Sequence, residues 1–138
     1  MNPKLITREI PRRQARLFLK KAREFSRSAR AELEHERWTA AGLAAVHAAI
    51  SATDSVTVAL AGAVNASADH FAAVALLRSC LRDGLPSSAK RQVNGLLRMK
   101  SEIEYGQHML SGPQAKTLVD QAERYVEWAS GLVASAGA

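Results

Sequence analysis

Between residues 115 and 133 the apolar side chains fall at Ala115, Leu118, Val119, Ala122, Tyr125, Val126, Ala129, Leu132 and Val133. Steps of three and four place them on one face of an α-helix, whereas a half-buried strand would alternate by two. The same steps run through most of the chain, and no convincing strand pattern interrupts them. A helix over 11–37 carries Phe18, Ala22, Phe25, Ala29 and Leu33 on one stripe, with Pro11 tolerable in a first turn. A second, over 39–62, carries Leu43, Val46 or His47, Ile50, Asp54 and Val58. A shorter helix over 68–83 follows Ser67, a good N-cap. A fourth, over 89–110, turns Val93, Leu96, Ile103 and Leu110 inward.

The breaks are brief: Asn65-Ala66-Ser67, the run from Gly84 to Ser88, and Ser111-Gly112-Pro113. Short connections between long helices favour antiparallel neighbours. The pattern therefore predicts an all-α, up-and-down bundle of four long helices plus a shorter middle helix. It forms a single domain over 1–138, with its core in about 12–135. Abundant alanine and an aromatic content of only 5% suit closely packed helices. The single cysteine, Cys80, excludes an internal disulfide and lies in an apolar run, which predicts an inert, buried thiol in a reducing compartment. With no recognisable secretory signal or membrane span, a cytoplasmic location away from any membrane is expected.

Charge is unevenly placed. Residues 1–37 hold eleven Lys and Arg against five Glu, while 38–138 hold eight of each sign, so the net charge of +6 belongs to the first helix. There Arg12, Arg16, Lys20, Arg23, Arg27 and Arg30 recur at helical spacing, nearly opposite the apolar stripe. Such a ridge matches an acidic partner: RNA, DNA or an acidic protein. Few aromatic residues interleave with it, so base stacking is not indicated.

Motifs for metal binding, phosphate loops and activated nucleophiles are missing, and neither metal nor cofactor is expected. His47 and Asp54 lie seven apart on one face of the second helix, which makes them candidates to line a cleft. His70, in the expected first turn of the third, is a candidate to line a groove. In the fourth helix Arg98, Glu102 and Tyr105 line one side, and Lys100, Glu104 and His108 form a second row. Surface ion pairs Arg98–Glu102 and Lys100–Glu104 would explain part of this. Lys100, however, falls between Leu96 and Ile103 on the apolar stripe, so it either snorkels or points with Glu104 into a cleft.

The closing stretch LLRMKSEIEYGQHMLSGPQAKTLVDQAERYVEWA, taken with the helix layout over about 12–135, resembles the HEPN superfamily (the higher-eukaryote and prokaryote nucleotide-binding domain). Small prokaryotic members carry a basic-x-x-x-acid-Tyr stretch before a helix of the AxxFV type; Lys100, Glu104 and Tyr105 stand there, followed by Ala122, Tyr125 and Val126. HEPN ribonucleases place an Arg, four to six intervening residues and a His at a dimer cleft. Toxin members paired with a small nucleotidyltransferase extend this to R-x4-H-x-Y, whose tyrosine can receive nucleotides. On this chain Arg98 takes the arginine position and Tyr105 the tyrosine position, but Ile103 occupies that of histidine, and His108 is separated from the arginine by nine intervening residues, outside the family spacing. Isoleucine cannot act as an acid or base.

The resemblance implies a non-catalytic or degenerate module, of toxin–antitoxin or anti-phage type, binding RNA, a nucleotide or a partner. A cognate antitoxin or nucleotidyltransferase and a homodimer are the implied protein partners. One alternative is a metal-independent ribonuclease toxin using Arg98, Tyr105 and a displaced histidine, His108 or His47. Another is a helical scaffold for protein assembly.

Overall fold

The computed structural model describes residues 5–137. Five helices build it: α1 (Ala15–Glu34), α2 (Trp38–Ala61), α3 (Phe71–Leu81), α4 (Ser87–Tyr105) and α5 (Gly112–Ser135). The expected all-α bundle of four long helices and a shorter middle one is therefore present. Helix α2 is its axis, packed against α1, α5, α4 and α3, while α5 also packs on α1 and α4. Alanines make this closeness possible: Ala41, Ala45, Ala48, Ala49 and Ala52 are all fully buried along α2. Tyr125 of α5 is the largest side chain without exposure, and its hydroxyl lies 2.7 Å from Thr53 Oγ1, which donates to the Ala49 carbonyl.

By length and composition α2 is long and apolar enough to cross a bilayer, but 67% of its most apolar window is buried inside the bundle. A central helix must be hydrophobic on most sides to be surrounded.

Two strands correct the strand-free expectation. β1 (Thr7–Glu9) and β2 (Ala63–Asn65) pair antiparallel, with Arg8 opposite Val64. All three β1 residues are exposed, so no alternation marked them in the sequence. The pairing follows from the end of α2, where Gly62 takes a left-handed conformation (φ 63°) and its carbonyl accepts from Ile10 N at 2.9 Å.

Several helix ends also differ from the periodic reading. Helix α1 starts at Ala15, after a 3₁₀ turn over Arg12–Gln14. Helix α3 starts at Phe71, because Ser67 is engaged elsewhere: its Oγ accepts from Asp69 N while its own N–H donates to Asn65 Oδ1. The carboxylate that accepts from Phe71 N is that of Asp69. Helix α4 ends at Tyr105, and Gly106 is extended, with the space a side chain would need filled by the Glu102 carbonyl. Leu110 thus reaches the core from a loop rather than from α4, its N–H held by Thr39 Oγ1 at 3.0 Å. Ser111 caps α5 in a reciprocal capping box with Gln114.

Candidate functional site

Helices α1 and α4 both pack on α2 but not closely on each other, so one stripe of α2 between them, a shallow furrow, is only partly covered. Leu43, His47, Ile50 and Asp54 are only half-buried along that stripe, whereas their neighbours toward α5 are fully enclosed. The spacing that put His47 and Asp54 on one face holds, because α2 runs unbroken through both. Phe25 of α1 stacks on the His47 ring with centroids 5.3 Å apart.

Lys100 and Glu104 of α4 face the same furrow. The ammonium lies 3.0 Å from the Glu104 carboxylate, with the lysine side chain only 22% exposed. A half-buried lysine on an apolar stripe needs such a counter-ion. Lys100 therefore neither snorkels fully to water nor enters the core. This pair holds the Glu104 carboxyl below its ordinary range.

Electrostatics ties these residues to His70, immediately before α3. Burial lowers the pKa of His47, against the raising effect of Glu104 and in concert with Lys100, His70 and Lys21. Burial also lowers that of His70, helped by Lys100 and opposed by Glu104 and Asp69. Both imidazoles are thus biased toward the neutral form, able to accept a proton or a hydrogen bond. Further along, burial raises the Asp54 carboxyl to about 6, despite the nearby charges of Lys21 and Arg8. The furrow joins two half-buried histidines and a restrained lysine at one end to a carboxyl of raised pKa at the other.

Of the sequence candidates, His47, His70, Lys100 and Glu104 lie within electrostatic reach of one another, whereas Asp54, two turns further along α2, has Lys21 and Arg8 as its charged neighbours. Lys21 and Phe25 complete the wall from α1. Phe25 could be read only as core and Lys21 only as a charge beside the ridge, because helical spacing does not say which helix stands opposite. Among the described residues no group of three His, Cys, Asp or Glu side chains is placed to hold a metal ion.

Arg98, Tyr105 and His108 do not assemble into a site. Arg98 lies exposed on α4, Tyr105 ends that helix 80% exposed, and His108 lies in the following loop. The row expected to run from Lys100 through Glu104 to His108 is broken by the early end of α4. Glu102 correspondingly lies 3.4 Å from His108 Nε2 rather than paired to Arg98. Cys80 is half-buried, and burial raises its thiol pKa, which keeps it protonated and unreactive.

The basic ridge faces away from the furrow, toward α5. Arg16, Lys20, Arg23 and Arg27 line one wall of a groove whose other wall is α5. Arg12 sits apart in the turn before α1, against Gly62. Arg30 is drawn out of the ridge into an ion-pair network: its Nη2 lies 2.8 Å from Asp120, and its Nε donates to Glu123 at 3.0 Å. No family model matches the sequence, and no curated protein is similar to it.

Proposed function

We propose that this chain is a HEPN-like binding module that holds a phosphate of RNA or of a nucleotide in the furrow between α1 and α4. The observation that carries the reading is the convergence of Lys100, His47, His70 and Lys21, from three helices and a helix approach, on one half-buried stripe. A lysine oriented by Glu104 offers a fixed ammonium, and imidazoles become donors as a phosphate approaches and favours their protonated form. Arg98 stands two residues before Lys100, on the other side of α4, so the arginine of the motif is not a wall of the furrow. Ile103 at the histidine position of the motif agrees with binding rather than cleavage through that motif.

A second reading is favoured by the same cluster. A displaced histidine, His47, beside Lys100 is the pair that metal-independent ribonuclease chemistry would use, as base and as charge stabiliser.

One experiment addresses both. A fluorescein-labelled twelve-nucleotide RNA is titrated at several salt concentrations, and the RNA is then run on a denaturing gel. Binding that weakens about tenfold in Lys100→Ala and more mildly in His47→Ala supports the module. Cleavage lost in His47→Ala would move the assignment to the ribonuclease. No binding by the wild-type chain, or equal binding by Lys100→Ala, would sink the furrow as a phosphate site and leave the helical scaffold.

A further inference from the structure

We propose that the groove between α1 and α5 docks an acidic amphipathic helix of a partner protein. The groove lies on the face of α1 opposite Lys21 and Phe25, so it is separate from the furrow and does not depend on the furrow's ligand. Its volume is about 550 Å³, and a further space of about 250 Å³ continues it past Arg23 and Arg27.

Three features define the occupant. First, Lys20, Arg23 and Arg27 stand at i, i+3 and i+7 along α1, covering about 10 Å of helix at 1.5 Å per residue. Lys20 and Arg27 have no carboxylate within ion-pair distance among the described residues, and Arg23 bonds only the neutral Ser130 hydroxyl. A second helix carrying Glu or Asp at the same intervals presents its carboxylates in register with these cations. Second, the α5 wall offers Ser130, Val133 and Ala134, small side chains that let another backbone come close, over a floor that includes Leu19. That surface rewards an aliphatic stripe beside the acidic one.

Third, the groove changes sign along its length. Glu123 and Glu127 line its continuation, and Arg30 at that end is already neutralised by Asp120 and Glu123. A phosphodiester strand carries a charge at every nucleotide and would be repelled there. No aromatic side chain lines either space, so a base has no stacking platform. A helix suits this polarity when acidic residues lie over Lys20, Arg23 and Arg27 and a basic or neutral residue lies over Glu127.

The test uses the full chain and an eighteen-residue helical peptide. The peptide has Glu at i, i+3 and i+7, Leu on the adjacent face and a terminal Lys, and it is followed by fluorescence anisotropy. The expected result is saturable binding that weakens at least tenfold in the double variant Lys20→Glu/Arg27→Glu. Binding should weaken similarly in Ala134→Trp, which fills the groove from an exposed position without adding charge. A peptide with Lys in place of Glu should bind the charge-reversed variant better than the wild type. Far-UV circular dichroism checks that each variant is folded. Equal peptide affinity for wild type and variants overturns the proposal. So does displacement of the peptide by twelve-nucleotide RNA with the loss of RNA binding in Lys20→Glu/Arg27→Glu, which would make the groove a nucleic-acid site.

Discussion

Asp54 shows how much one side chain on a central helix can matter. Burial raises its carboxyl from an ordinary 3.8 to about 6. Between those values the folded chain holds a proton that the unfolded chain has released, so stability falls as pH rises through this window. Above pH 6 the full cost is present, at most about 3 kcal/mol at 1.36 kcal/mol per pKa unit. Asp54→Asn is therefore expected to be more stable than the wild type in urea unfolding at pH 7.5, with the difference shrinking toward zero at pH 4. An equal or smaller stability of the variant at pH 7.5 would mean that Lys21 and Arg8 compensate the carboxylate fully. The two histidines act in the opposite sense. Their pKa values are lowered on folding, so acidification below about 6.5 protonates the unfolded chain first and reduces stability. A destabilising carboxylate on the same helix face as a half-buried neutral imidazole is the kind of local conflict that functional sites carry.

At the scale of elements, helix ends decide where the candidate side chains point. Helix α5 begins with Ser111, whose hydroxyl accepts from Gln114 N while the Gln114 side chain accepts from Ser111 N, and Pro113 occupies its first turn. Ser111→Ala should cost about 1 kcal/mol in chemical denaturation, and Ser111→Gly only a few tenths. A loss equal for both would point to the neighbouring loop rather than the cap. The early end of α4 has the larger functional consequence. Had the helix continued to Leu110, His108 would have extended the row of Lys100 and Glu104. Gly106 turns the chain out instead, so His108 meets Glu102 and Leu110 folds back against Gly42. The periodic reading runs the helix over 89–110 straight through Gly106, whose close approach to the Glu102 carbonyl exists only after folding.

For the whole molecule, the arrangement around α2 sets both stability and the two faces available to partners. Most α2 residues between Ala41 and Ala59 are buried, whereas Gly106 through Met109 is an exposed connection. Hydrogen exchange should reflect this. The α2 amides are expected to be the slowest in the chain and to exchange only with global unfolding, and those of residues 107–109 to exchange within the first time points. Protection in the connection equal to that in α2 would show that it is held by contacts beyond those of the folded monomer, such as a second copy. The same arrangement divides the surface of α1, one side forming the furrow wall and the other the basic groove.

Periodicity alone was enough to establish an all-helical bundle, the five helical segments and the shared face of His47 and Asp54, because each depends on repeats within one helix. It also marked Lys100 as anomalous, since a cation on an apolar stripe needs a reason wherever the helix packs. Tertiary structure alone decided that α4 brings Lys100 and Glu104 to His47, that His70 arrives from a loop, and that Arg30 leaves the ridge for Asp120 and Glu123. It alone paired the exposed β1 with the half-buried β2 and broke the row to His108. The division has a physical cause: spacing along a helix records which side chains share a face, while the partner of that face is chosen by packing between segments far apart in sequence.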